Sequence, residues 1–504
     1  MCGILFYSEN HPSFLNNLKK LIPRGPDQIQ YYDIDDVHLG FTRLAVVGPS
    51  SGCQPSYRGE WNIVFNGEIY NGKAPEGKND VSLVLDMVVK YGPMQAPRHL
   101  EGMFAYVLYN SDTKKWYAAR DTVGICPLYR GQSDSLTCFS SELKALSHCD
   151  TVDVVKPGHV YTRDDMFRFS DPYTLNPIGG YDQLRTSLKS AVSRMIPHDV
   201  PWGVLLSGGL DSSIICGILN ELDLPKGYPV IHSFSIGLKG SPDLEMARKQ
   251  SEFCGTIHHE IIMDMDTALS YLKPTIEAIE TFDITTVRAS VPMFYLAKEI
   301  KRHGVKVVLS GEGSDELFSG YLYNRFAPTK EELHLECIRK MEDLHYYDCC
   351  RANKAMAAAG VECRVPFLND RVVEYSMNID PQHKMSGELI EKHILREAFK
   401  DVLHPDIYLR QKAQFSDAVG SEWIKRLKSE SENHSLSYVY KDQPPQTKEA
   451  EWYRWYFDYA FGSNRSHCCK YHDDTIACSS AVAHKWSDFE NDPSASSIQY
   501  KYNK

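Results

Sequence analysis

The spacing of hydrophobic and polar positions changes partway along the chain. Over residues 1–150, short apolar runs alternate with Gly, Pro, Asn and Asp. Residues 37–41, 61–65, 103–109 and 115–119 each read as strands. One helix is predicted over 81–91, where Leu83, Met87 and Val88 recur at helical spacing. After about Asp171 the pattern switches. Helices over 181–195, 212–219 and 291–302 are separated by apolar strands over 202–206, 231–236 and 305–309. Strand and helix in alternation predict a parallel α/β sheet. Residues 330–400 read as mostly helical, with 345–359 the clearest run. Residues 442–445 read as a surface loop, and the last fifteen or so as a frayed end.

The chain's 504 residues are enough for two or three domains. A net charge of −11 argues against nonspecific nucleic-acid binding, though not against a local anion site. No apolar run reaches the ~18 residues of a membrane span, and the start MCGILFYSEN lacks a signal peptide's basic and apolar regions. A soluble, cytoplasmic protein with no nucleic-acid or membrane partner is expected. Its 14 cysteines should then be mostly reduced and buried, unless one occupies a reactive position.

Cys2 occupies such a position. Removal of Met1 would leave its own α-amine as general base for the thiol. Downstream stand Arg43 and Asp80, a pair suited to an amino acid's carboxylate and ammonium. Asn66-Gly67 can supply an amide and a backbone N–H to an oxyanion. Taken separately, Asn66-Gly67 is a hairpin turn and Arg43 a surface charge. Taken together with Cys2-Gly3-Ile4, Arg24-Gly25-Pro26-Asp27, Glu101-Gly102-Met103-Phe104 and Gly124-Ile125-Cys126-Pro127-Leu128-Tyr129, they resemble the class II glutamine amidotransferases. That resemblance implies an N-terminal-nucleophile αββα sandwich. It makes Cys2 the nucleophile and Asn66 and Gly67 the oxyanion hole. Arg43, Leu44, Ala45, Val46, Val47, Glu68 and Asp80 would bind glutamine.

A second constellation follows an apolar strand: Leu206, then Ser207-Gly208-Gly209-Leu210-Asp211-Ser212-Ser213. Strand, Gly-rich turn and helix start form an anion cradle, but the spacing is not that of an ordinary P-loop. Ile236 ends the next strand, and a third runs into Ser310-Gly311-Glu312-Gly313-Ser314-Asp315-Glu316. Carboxyl ends of parallel strands share one edge, so these loops should converge. Asp211 and Asp315 are hard oxygen donors suited to Mg²⁺. The Ser207–Ser213 loop resembles the pyrophosphate motif of ATP pyrophosphatases.

Both halves together resemble the glutamine-hydrolysing asparagine synthetase family. Shared strings include Arg351-Ala352-Asn353-Lys354, Glu362-Cys363-Arg364-Val365-Pro366-Phe367-Leu368, Glu391-Lys392-His393, Arg410-Gln411-Lys412 and Gln414-Phe415-Ser416-Asp417, with Ala477-Cys478-Ser479-Ser480 near the end. The resemblance implies a glutaminase domain over 1–172 and an ATP-pyrophosphatase synthetase domain over 173–504, less ordered after about 430. Leu206, Ile236, Ser310 and Gly311 would hold adenine and ribose. The 207–213 loop and Lys412 would hold the phosphates, and Glu312 would serve β-aspartyl-AMP formation and the ammonia step. The ligands implied are glutamine, aspartate and ATP with Mg²⁺ and no organic prosthetic group; a homodimer is left open. Asn369 stands where the family usually has Asp, Ala413 where it has an acid, and Ser82 where it often has Glu. Asn369 is expected either near the Mg²⁺–pyrophosphate site or as a helix cap. His258-His259 reads as a strand lead-in rather than a metal site. His467, Cys468, Cys469, His472 and Cys478 crowd together without a paired-CxxC spacing. The rivals are another acyl-adenylating ligase on this scaffold, a phosphoribosyl amidotransferase and a non-catalytic homologue. The first typically lacks the nucleophile, the second lacks the Ser207–Ser213 motif, and the intact site residues disfavour the third.

Overall fold

The computed structural model describes residues 1–48, 52–72, 79–173, 175–176, 178, 181–223, 230–387, 389–412, 421–434, 438, 440, 442, 444–470 and 482–486. The segments 413–420 and 471–481, and with them Ala413, Gln414 to Asp417, His472 and Ala477 to Ser480, lie outside the described residues. So does the end of the chain after 486.

The first half is strand-rich. In chain order it has β1 (Gly3–Tyr7), β2 (Gln28–Ile34), β3 (Val37–Arg43), β4 (Ser56–Arg58), β5 (Trp61–Ile69) and β6 (Gly102–Asn110). There follow β7 (Lys115–Arg120), β8 (Tyr129–Ser133), β9 (Leu136–Ser140), β10 (Thr151–Val154), β11 (His159–Tyr161) and β12 (Met166–Arg168). Two antiparallel sheets result, ordered β10-β8-β9-β1-β3-β2 and β12-β11-β7-β6-β5-β4. Their inner faces pack together: Trp116 of one meets Phe139 of the other edge-on at 5.0 Å. Helix Asp80–Tyr91 covers the second sheet with Val81, Val84, Leu85 and Val88 set on Ile63, Phe65, Phe104 and Tyr106. Helix Phe14–Lys19 covers the first, its Phe14 and Leu18 resting over Gly40. The layer order is αββα, as expected. The pattern does not announce the short strands β1, β2, β4 and β8 to β12, because three to seven residues hold too little alternation to stand out.

The second half adds β13 (Trp202–Leu205), β14 (His232–Gly237), β15 (Ile257–Ile262), β16 (Val307–Leu309) and β17 (Glu362–Arg364). They form one parallel sheet ordered β15-β14-β13-β16-β17. The order runs outward from β13 in both directions, so the crevice between β13 and β16 is a switch point where ligands bind. Helix Leu210–Glu221 starts one turn beyond β13.

The main departures from the sequence pattern lie in the second half. The helix expected at 291 begins at Ile284, where the Asp283 carboxylate accepts from Thr286 N–H at 2.8 Å. The Asp283 cap lies eight residues before the expected start, and Pro292 falls inside the helix. The run 345–359 is not one helix: a 3₁₀ turn, Leu344–Tyr346, leads to a π segment, Arg351–Ala355. Strand β17 falls inside a stretch read as helical, since three residues carrying Glu362 and Arg364 offer no strand pattern. Past residue 430, where less order was expected, Lys448–Phe461 forms a helix. Its Glu449 takes a bidentate, buried contact from Arg288 at 2.7 and 2.5 Å, and Tyr453 O–H donates to the same carboxylate at 2.7 Å. Among the described residues no helix is long and apolar enough to cross a membrane.

Candidate active site

Cys2 immediately precedes the central strand β1. Its backbone N–H donates to Asn66 Oδ1 at 2.8 Å, and its Sγ lies 3.8 Å from the Leu44 carbonyl. Asn66 is fully buried on β5, and its Nδ2 has no protein acceptor. An unmet buried donor beside a thiol is what a developing oxyanion requires. Gly67 follows with φ +143°; a Cβ there would run into the Met103 carbonyl, so only glycine fits. Burial pushes the Cys2 thiol up, and the Met1 ammonium opposes that rise.

Glu68 and Asp80 share a hydrogen bond, and Glu68 is near enough to Cys2 to raise its thiol. Asp80 opens its helix and accepts from Ile69 N–H at 3.0 Å. Glu68 faces Arg364 across 3.2 Å. Burial pushes Glu68 well above the usual carboxylate range. Arg364 resists, while Glu362 and Asp80 reinforce the rise. Asp80 is likewise raised, first by burial. Two buried acids held this close suit an incoming ammonium, which replaces their shared proton. Arg43 Nη2 donates to the Gly48 and Val47 carbonyls at 2.7 and 3.4 Å, which ties it to the loop 44–47. That loop is held in turn by Asp27, which accepts from Ala45 N–H at 2.8 Å and from Lys306 Nζ at 2.7 Å. The sequence pattern named 44–47 and missed Lys306, which arrives from the other half of the chain.

The second constellation does converge at the β13–β16 crevice. Leu206, Ser207, Gly209, Asp211, Ser212, Ile236, Ser310, Gly311, Glu312, Asp315 and Lys412 all line one cleft. Ser207 and Ser212 hydroxyls lie 3.0 Å apart across the turn. Two of the expected residues do not line it. Ser213 is turned into the core with no exposure, because helix residues 212 and 213 point about 100° apart. Gly208, at φ +76°, packs against the Asp243 carbonyl, and its own carbonyl accepts from Arg410 at 2.9 Å.

Charge pairing fixes the cleft floor. Lys392 Nζ sits between Asp211 and Asp315, at 2.8 and 2.5 Å. Lys412 pairs with the other Asp315 oxygen. Burial alone would raise the Asp315 carboxyl, but the two lysines hold it well below the ordinary range. Lys412 is correspondingly held above its usual value by Asp315 and Asp211, against its own burial. Glu312 accepts from Arg351 at 2.6 Å, and Arg351 also meets Asp348 at 2.9 Å. Burial raises Glu312 despite Arg351. Lys392 and Arg351 lie in strings already noted in the sequence; spacing alone gave them no role, because Asp211 is 181 residues from Lys392 and Glu312 is 39 from Arg351.

Asn369 is not at the cleft. It caps helix Asp370–Asn378, its Oδ1 accepting from Arg371 N–H at 3.2 Å, while its Nδ2 donates to Glu101 at 3.1 Å. The metal expectation is corrected and the cap stands. Asn369→Asp would set a second carboxylate against buried Glu101. A lowered melting temperature and an unchanged Mg²⁺ titration of synthesis are expected; a shifted Mg²⁺ midpoint would restore the metal role. His258 lies between the Ser233 and Ser235 hydroxyls on β15, as a strand residue. Of the C-terminal cluster, His467 and Cys468 both face the Val152 carbonyl, while Cys469 faces that of Glu280.

Strand β17 joins the two constellations. Its Glu362 accepts from the Met1 ammonium at 3.0 Å and from Arg364 at 2.8 Å, and Arg364 reaches Glu68. Its backbone carbonyl at Arg364 accepts from Ser310 N–H at 2.9 Å, at the cleft rim. Arg24 adds a second tie, donating to the Cys2 carbonyl, Glu142 and Asn353.

This is an amidotransferase-type nucleophile domain joined to a parallel-sheet, anion-cradling domain. A family model described as glutamine amidotransferase domain matches residues 1–162, and one described as asparagine synthase matches 183–332 and 324–454. The chain belongs to the asparagine synthase family. It is similar to asparagine synthetase [glutamine-hydrolyzing] 2 of Oryza sativa subsp. japonica, at 41% identity over 93% of this chain and 86% of that protein. Asparagine synthetase [glutamine-hydrolyzing] 3 of Arabidopsis thaliana is 40% identical over 96% and 92%. A probable asparagine synthetase of Schizosaccharomyces pombe is 42% identical over 92% and 94%.

Proposed function

We propose that the chain makes asparagine from aspartate, glutamine and ATP, releasing glutamate, AMP and pyrophosphate. Residues 1–172 act as the glutaminase and 173–504 as the synthetase. The observation that carries this reading is β17, which contacts the thiol's surroundings on one side and the cleft on the other.

In the glutaminase half, Cys2 Sγ attacks the glutamine side-chain amide. With Met1 removed, the new α-amine takes the thiol proton and passes it to the departing ammonia. Asn66 Nδ2 and Gly67 N–H bind the oxyanion. Glu68 and Asp80 receive the substrate ammonium, and Arg43 with the 44–47 backbone receives its carboxylate. Water then releases glutamate from the thioester.

In the synthetase half, Leu206, Ile236, Ser310 and Gly311 border adenine and ribose. Ser207, Gly209 and Ser212 cradle the phosphates with Lys412. The aspartate side-chain carboxylate attacks the α-phosphorus and pyrophosphate leaves, giving β-aspartyl-AMP. Ammonia then displaces AMP, and Glu312 accepts the proton from the attacking amine, a role its raised affinity for protons suits. Asp211 and Asp315 are a hard donor pair already closed around one cation, the Lys392 ammonium. Mg²⁺ bound there would neutralise phosphate charge. A protected passage between the halves keeps ammonia unprotonated and nucleophilic. Thiol chemistry of this kind suits the reducing cytoplasm, where we place the enzyme.

Product analysis with aspartate, glutamine and MgATP tests the reading. Asparagine and AMP are expected in a one-to-one ratio. ADP with orthophosphate would refute the pyrophosphatase assignment, and a different amide product would refute the substrate.

A further inference from the structure

We propose that Cys138, His148 and Cys149 form a binding site for one zinc-type cation on the glutaminase sheet, separate from both reaction centres. Cys138 lies on β9. His148 and Cys149 lie in the turn between the 3₁₀ helix Leu143–Leu146 and β10. The two Sγ atoms and His148 Nε2 all lie within 4.8 Å of one another. Nε2 is 3.6 Å from the Cys138 sulfur and 3.5 Å from the Cys149 sulfur. In a tetrahedral site, Zn–S bonds of about 2.3 Å and a Zn–N bond of about 2.05 Å set the S···N edge at roughly 3.5–3.6 Å. The structure holds that edge twice.

The two thiols and His148 Nε2 already form one hydrogen-bonded cluster. One imidazole nitrogen accepts one thiol proton, yet two sulfurs flank it. A cation bound to two thiolates and Nε2 satisfies all three at once and releases the thiol protons.

The surroundings are built to match. Gly131 of β8 pairs with Cys138, and a Cβ on it would fall 2.5 Å from the Cys149 sulfur, so the sheet leaves room for that atom. His148 Nδ1 lies 3.4 Å from the Tyr7 hydroxyl, which can accept the Nδ1–H of an imidazole bound through Nε2; the Asn17 amide, 3.0 Å away through its nitrogen, would present its oxygen to that N–H after a flip of the amide. Tyr7 is opposite Cys138 on β1, the strand that follows Cys2. The His11 ring lies tilted 5.1 Å from that of His148 and is engaged by Ser13 at 2.7 Å, so the fourth ligand position would fall to water. The site clamps β9, β10 and β1 together, which makes it a staple of the sheet that carries the nucleophile. A gap of nine residues followed by His-Cys matches no paired-cysteine spacing, so the sequence pattern passed over it.

The test is Co²⁺ titration of the full-length, reduced, metal-stripped protein. One equivalent should give thiolate-to-Co²⁺ charge-transfer absorption with the visible bands of tetrahedral cobalt, and Zn²⁺ should erase both. Cys149→Ser and the half-buried His148→Ala should each weaken binding ~10-fold or more. Cys2→Ala and Cys254→Ser should leave it unchanged, and Zn²⁺ should raise the parent's melting temperature but not that of His148→Ala. Absent charge-transfer bands, or bands that survive in both site variants, would overturn the proposal.

Discussion

Replacing Cys2 with alanine is expected to abolish glutamine-supported asparagine synthesis while ammonia-supported synthesis continues at the parental rate. The expectation follows from where Cys2 sits. Its thiol is the nucleophile beside Asn66, whose unmet Nδ2 awaits an oxyanion. No alternative base–nucleophile pair stands in that pocket among the residues described above. Removing a nucleophile whose partners act with it as a unit costs about 10⁴-fold or more. The cleft at the β13–β16 switch point makes no use of the sulfur, so added ammonia bypasses the loss. Glutaminase and synthetase rates measured separately on one preparation decide the matter. Glutaminase activity persisting in Cys2→Ala would remove the nucleophile assignment. Loss of both rates would show that the side chain mainly supports folding. Intact-mass measurement of the parent completes the test, since a retained Met1 would deny the α-amine its role as base.

Much of this was legible in the sequence because it was local. The turn from strand into Ser207-Gly208-Gly209 and the helix behind it occupy a dozen consecutive residues, and Asn66-Gly67 sits within one strand. Short apolar runs marked a strand-rich first half and the alternation of strand and helix a parallel sheet, while the αββα layering came from the family resemblance. What stayed hidden was non-local or electrostatic. Strand β17 is three residues long, two of them charged, and it is a strand only because β16 and the N-terminus supply partners. Lys306 reaches Asp27 across 279 residues of chain. For Asn369 the family comparison left a metal role and a helix cap open; the structure makes it the cap and turns its amide toward Glu101, a contact that no spacing announces. Cys138 and Cys149 come together because β9 and the turn before β10 fold back onto one edge.

Lys392 is the least legible of the residues that fix the cleft, and its substitution carries the second large expected effect. It stands in left-handed backbone at φ +56°, an uncommon conformation for a side chain of its size. Its ammonium, almost without exposure, is shared by Asp211 and Asp315, and it accompanies Lys412 in keeping Asp315 ionised. Lys392→Met keeps the length and removes the charge. Two carboxylates would then face each other over a floor meant for polyphosphate, with Lys412 the remaining cation on Asp315. Like charges so placed repel the ATP tail and draw a proton onto one of the acids. Breaking such a buried pair on one side costs about 3–5 kcal/mol, and synthesis should fall by ~10²-fold or more with either nitrogen source. Glutaminase activity should stay near parental. High Mg²⁺ should recover part of the loss, because a dication can take the place between the two carboxylates that the ammonium held. A variant whose synthesis rate matches the parent would show that Lys392 merely fills space. An equal loss of glutaminase activity would show instead that the effect travels through the fold, by way of β17, rather than through charge in the cleft.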